Sequence, residues 1–164
     1  MMSHPATEVA REIHRIASAE NRPLTPLELM KLTYISHGWS LCLRNQPLVS
    51  DQAQAWQYGP VYPDLYHALK DFRASPVQSV RPAGAEVFFQ PQPLNEEEKS
   101  LIKAVFQAYR GLNGVQLSAL THQEGTPWHK AYARGRNAVI DDGEIKAHFC
   151  ELQQLSQKRK ARRW

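Results

Sequence analysis

The sequence predicts a mainly α-helical fold: a compact bundle of six or seven helices around a central helix at about 25–43, with at most a small β-hairpin near 77–89. Three observations carry this prediction. Apolar residues recur at helical spacing through most of the chain. Residues that start helices stand in front of those stretches. Prolines and glycines collect between them.

The first helix is expected over 6–19, where Val9, Ile13, Ile16 and Ala17 make a buried stripe that Asn21-Arg22-Pro23 ends. The central helix has a strong start: Thr25 can cap it, Pro26 suits its first position, and Glu28 stands where a capping box needs it. Leu27, Leu29, Met30, Leu32, Tyr34, Ile35, Trp39, Leu41 and Leu43 leave it little polar surface, as in a helix surrounded by others. Asn45-Gln46-Pro47 closes it.

Leu48-Val49 and Ala53-Gln54-Ala55-Trp56 read as short strands or extended loop, and Tyr58-Gly59-Pro60 as a turn. Pro63 and Asp64 favour a helix start, with Leu65, Tyr66, Leu69 and Phe72 inward. Residues 73–94 hold Pro76, Pro82, Pro91 and Pro93 and form a connection; Val77–Val80 and Glu86–Phe89 flank Pro82 and Gly84 as a hairpin or an ordered loop. Asn95 with Glu98 opens a helix over about 96–110, with Leu101, Ile102, Val105, Phe106 and Tyr109 inward and Gly111 at its end. A shorter helix spans about 114–122, Thr126-Pro127 opens another, and Asp141 with Glu144 opens the last, at about 142–157.

A chain of 164 residues fits one domain with its own core, here residues 1–157, followed by a basic tail at 158–164. The hydrophobic and charged fractions, 42% and 22%, are those of a globular chain and exclude a disordered one. The net charge of +4 is uneven: without Lys158, Arg159, Lys160, Arg162 and Arg163 it falls to −1, so the body is no basic nucleic-acid binder. The tail could touch nucleic acid or an acidic partner, with Trp164 as a stacking group, or serve only as a solvated end. Met1-Met2-Ser3-His4-Pro5 runs into Glu8, Arg11 and Glu12 without the apolar run of a signal peptide, and no stretch approaches the roughly 20 apolar residues of a membrane span. Cys42 and Cys150, far apart in sequence and in apolar segments, are expected to be free buried thiols. A cytoplasmic protein with no membrane partner is expected.

Phosphate-binding glycine loops, a G-x-S-x-G elbow and a C-x-x-C pair are absent from the sequence. His122, Glu124 and His129 echo part of a zinc-deaminase pattern but lack its cysteine pair; the plainer reading is that His122 and Glu124 bond across the Gly125-Thr126-Pro127 turn and hold Trp128 against the core. His37 and Cys42, five residues apart, face different sides of a helix, which leaves Cys42 a packing role. Trp39, Trp56 and Trp128 read as core anchors, with Trp56 also suited to an interface. No enzyme activity, metal or cofactor is expected. The alternatives are a DNA-binding regulator using short helices around Leu112–His122 and, behind it, a metalloenzyme around His122, Glu124 and His129.

Three ordered blocks carry a resemblance. The first is Thr25-Pro26-Leu27-Glu28-Leu29-Met30-Lys31-Leu32-Thr33-Tyr34 with Trp39 after it. The second is Ala55-Trp56-Gln57-Tyr58-Gly59-Pro60-Val61-Tyr62-Pro63 with Leu65-Tyr66. The third is Leu117-Ser118-Ala119-Leu120-Thr121-His122 with Glu124 and Pro127-Trp128. Together they resemble the Panacea (SocA-like) antitoxin family. The resemblance implies an antitoxin of a toxin-antitoxin system, linked to prophages and mobile elements. Its partner would be a cognate toxin encoded by a neighbouring gene, neutralised by direct binding or by delivery to a cytoplasmic protease. Thr25, Pro26, Leu29, Lys31, Leu32, Tyr34, Trp39, Trp56, Tyr58, Gly59, Pro60, Val61, Tyr66, Thr121, His122, Glu124, Pro127 and Trp128 would then mark the fold or the toxin contact.

Overall fold

Val9, Ile13, Ile16 and Ala17 put one face of α1 (Ala6–Ala19) into the interior, as their spacing predicts. The computed structural model describes residues 3–82 and 92–162 of the chain. Thr25 Oγ1 accepts from the Glu28 N–H at 3.3 Å and Glu28 accepts from the Thr25 N–H at 3.1 Å, closing the expected capping box in front of α2 (Pro26–Leu43). Among the described residues, α2 is the centre of the fold. It packs on α1, on the strand β2 (Gly59–Val61) and on four further helices: α3 (Pro63–Leu69), α4 (Glu96–Tyr109), α5 (Gly114–Thr121) and α7 (Asp142–Arg162). Helix α6 (Pro127–Arg134) sits between α5 and α7 in sequence and packs on the strand β1 (Gln54–Trp56) and on α7.

A helix so enclosed must satisfy its own polar groups. Thr33 and Ser36 donate to the carbonyls one turn back, Leu29 and Leu32, each at 2.8 Å, and Ser40 donates to Gln46 O at 2.8 Å. His37 Nδ1 accepts from the N–H groups of Leu48 and Val49, so the ring proton lies on Nε2 and is donated to Asp142 at 2.9 Å.

The β element forms at Gln54–Trp56 and the Tyr58-Gly59-Pro60 turn, one of the places the sequence allows, and not at the hairpin expected near 77–89. Strands β1 and β2 pair antiparallel with Trp56 opposite Gly59, a turn that Gly59 permits with φ near +122°. The 137–140 segment adds to the outer side of β1, where Ala55 N donates to Ala138 O and Ile140 N to Ala53 O. Residues 77–82 form no strand; Val77 instead donates to Leu24 O at 2.7 Å, and Val77 and Val80 are buried as packing residues of a loop. The other arm of the expected hairpin, within 83–91, lies outside the described residues. The last helix also runs beyond its expected end near 157, through Arg162.

The largest correction concerns the cysteines. Cys42 and Cys150 are not separate thiols but a disulfide that joins α2 to α7 across 108 residues of chain. They meet because α7 crosses α2 at Gly38, where an added Cβ would lie 2.2 Å from the Phe149 ring. Only glycine lets the two helices approach this closely, and the cysteines follow Gly38 and Phe149 on the two helices.

Candidate functional site

The three motif blocks meet at one junction. Lys31, on the buried side of α2, is 1% exposed and donates from Nζ to Pro60 O at 2.9 Å. Gly59 is favoured by its backbone, with φ near +122°, and a side chain there would come within 2.8 Å of that Nζ and have to displace it. Ser118 Oγ donates to Tyr58 O at 2.8 Å, which ties α5 to the same turn. Trp128 Nε1 donates to Trp56 O at 2.6 Å and ties α6 to β1. The Trp128 ring stacks on Tyr132 and meets the edge of His122, while half-buried Trp56 packs edge-on to Tyr66.

The residues expected to matter divide on this geometry. Leu29, Leu32, Tyr34, Pro60, Val61, Thr121, Pro127 and Trp128 are buried supports, and Thr25 and Pro26 start α2. Tyr58 is 70% exposed. The bonds expected from His122 and Glu124 across the Gly125-Thr126-Pro127 turn do not form: His122 Nδ1 donates to the Ser118 carbonyl one turn back, and Glu124 is exposed. The turn is held instead by Thr126, which donates to Gln123 O at 2.7 Å and caps α6 at His129 N. His129 is exposed, with Nδ1 accepting from Gly125 N–H. Lys158, Arg159, Lys160 and Arg162 lie exposed on the last turns of α7.

Burial pushes the Lys31 ammonium down from 10.5 to about 7. The unfolded chain holds that proton up to 10.5, so the cost of burying the charge is full below pH 7 and fades as pH rises through the window. Unfolding free energy is therefore expected to increase from pH 7 toward pH 10, by at most about 1.4 kcal/mol per pH unit. Above pH 10 the trend reverses, because burial holds the Tyr34 and Tyr62 hydroxyls protonated in the fold while the unfolded chain ionises them. Urea titrations at pH 7 and 9 of the wild type and Lys31→Met test this: the slope belongs to the wild type, and its persistence in the variant would assign it elsewhere.

Beside this junction two cavities of about 360 and 440 Å³ adjoin, sharing Trp39, Tyr109 and Ser156. Trp39 Nε1 donates to the Tyr109 hydroxyl at 3.0 Å, so these two polar groups satisfy each other. Half-buried His148 lies on one side, its pKa lowered by burial. The walls are otherwise mostly apolar, which suits binding of apolar side chains. Sequence periodicity placed Leu101 and Tyr109 inward; they are half-buried and line this concavity. Ala104 and Ala108, exposed beside them, carry no signal in the sequence by themselves.

Fold and junction together define a mainly helical domain in which three separated motifs brace one turn. Residues 29–129 match the antitoxin SocA-like family, Panacea domain, and the chain belongs to that family. It is similar to Antitoxin SocA of Caulobacter vibrioides (strain NA1000 / CB15N), at 29% identity over 128 residues covering 75% of this chain and 68% of that protein. No solved structure matches the chain. Among the described residues, no helix is long and apolar enough to cross a membrane.

Proposed function

We propose that this protein is an antitoxin that neutralises a cognate toxin, encoded by a neighbouring gene, through a direct protein–protein interface. The observation that carries this reading is membership of the antitoxin SocA-like family across most of the helical core. The geometry supports it: Lys31, Ser118 and Trp128 of the family motifs brace the fold from within, while Trp39 helps to line a surface concavity open to a partner. A non-enzymatic role agrees with motif side chains whose polar atoms are committed to backbone carbonyls.

The test is co-expression. Induction of the adjacent open reading frame alone is expected to arrest growth, and this protein is expected to relieve the arrest. A toxin-level blot then separates the two routes: constant toxin with a stable complex means blocking, and protease-dependent loss of toxin means delivery to a cytoplasmic protease. A neighbouring product that is harmless alone removes the reading.

A further inference from the structure

We propose that the cleft between α4 and the C-terminal half of α7 is the docking site for a single amphipathic helix of the protein partner, with acidic residues at the end that meets Lys160. This rests on the antitoxin reading and names the surface it would use. Leu101, Ala104, Val105 and Ala108 form a stripe at the i, i+3, i+4, i+7 spacing of one helix face. In a bundle such a face is normally covered by a neighbouring helix. Here α4 and α7 both pack on α2, yet α7 barely touches α4, and the space between them stays open. Trp39 and Leu43 of α2 form the floor, with Leu43 itself 53% exposed.

The dimensions select a helix. The stripe extends roughly 10 Å along α4, about two helical turns. Ala104 and Ala108 keep that wall low, so a partner backbone can approach α4 closely while its larger side chains reach Trp39. Helix-in-groove recognition uses this combination of an apolar trough and anchors on successive turns.

Charge selects the partner's sign. Lys160 lines the cleft, and no carboxylate does among the described residues. Lys158, Arg159 and Arg162 stand exposed on the same turns of α7, and none of the four cations forms an ion pair among the described residues. A helix whose end carries Asp or Glu would be drawn to this end of the cleft and oriented by it. The basic tail then has a task within the complex and needs no nucleic acid.

Two probes test the proposal: the product of the adjacent reading frame, and a synthetic helical peptide with leucines at i, i+3 and i+7 and two C-terminal glutamates. Ala108→Arg fills the cleft from an exposed position and is expected to lower affinity for both probes at least tenfold, with the circular dichroism spectrum unchanged. Lys158→Glu with Lys160→Glu is expected to weaken both and to flatten the salt dependence of binding. Gln107→Arg, exposed outside the cleft, is the control and is expected to bind as wild type. If Ala108→Arg binds both probes within threefold of wild type, the proposal is overturned. If the frame product binds wild type and Ala108→Arg alike, the antitoxin reading stands and the cleft is not its contact. If the product does not bind wild type while the peptide binds in a cleft-dependent way, the cleft stands and the toxin reading falls. A wild-type dimer that Ala108→Arg abolishes, with no peptide binding, assigns the cleft to a second copy and overturns the proposal.

Discussion

Trp128→Ala is expected to destabilise the protein by about 3–5 kcal/mol, the cost of emptying a large buried aromatic site. The side chain is 8% exposed and is held on three sides: stacked on Tyr132, edge-on to His122, and hydrogen-bonded to Trp56 O. Its removal leaves that carbonyl without its indole donor and detaches α6 from β1, the strand whose hairpin turn Lys31 and Ser118 brace. Trp128→Phe keeps most of the ring and loses the donor, so its expected cost is smaller, about 1–2 kcal/mol. Urea unfolding followed by circular dichroism ranks the two. An Ala variant that costs less than about 1 kcal/mol would show that the corner collapses around the gap, and Trp128 would not be the anchor of the junction.

Only part of that junction is legible in the sequence. Helix starts are written locally, so Thr25 with Glu28 and Asn95 with Glu98 close their capping boxes as expected. The bend at Tyr58-Gly59-Pro60 is also local, and it forms. What holds it is not local: a lysine 29 positions earlier and a serine 60 positions later supply the bonds. A lysine within an apolar helix reads ambiguously, since the pattern does not reveal which carbonyl waits opposite. The same limit applies to the hairpin expected near 77–89. Val77 and Val80 have the composition of a strand, but Leu24 O takes the Val77 N–H, and the chain packs as a loop. Strand β1, Gln54–Trp56, is three residues long and gains its second edge from 137–140, a pairing that no local pattern announces.

The cleft marks another boundary of sequence reading. Periodicity correctly identifies the apolar face of α4 at Leu101, Val105 and Tyr109. It cannot tell whether the fold supplies a neighbour to cover that face, because this depends on where α7 crosses α2. The crossing is set by Gly38 against Phe149. Glycine at this position reads from sequence as a weak point in a helix, whereas the structure uses its missing Cβ to bring two helices together.

Reduction of the Cys42–Cys150 bond should then lower stability while leaving the crossing in place. The bond closes a loop spanning 108 positions, and the chain-entropy account assigns such a loop up to about 4–5 kcal/mol. That is a large share of the 5–15 kcal/mol typical of a domain. Phe149 still fills the space over Gly38 and packs edge-on to Trp39 and Tyr34 without the bond, so the folded spectrum should not change. Alkylation in denaturant followed by mass measurement should find no free thiol in the untreated protein and two after reduction. Cys42→Ser and Cys150→Ser should each reproduce the reduced stability, and the double variant should cost no more than either alone, because both remove the same link. Two alkylated thiols in the untreated protein, or single variants as stable as wild type, would mean that packing alone holds the crossing. Since Phe149 and Cys150 lead directly into the half of α7 that walls the cleft, losing the bond is also expected to loosen that wall before it affects α1 or α4, with amides of 153–162 exchanging faster in the reduced protein.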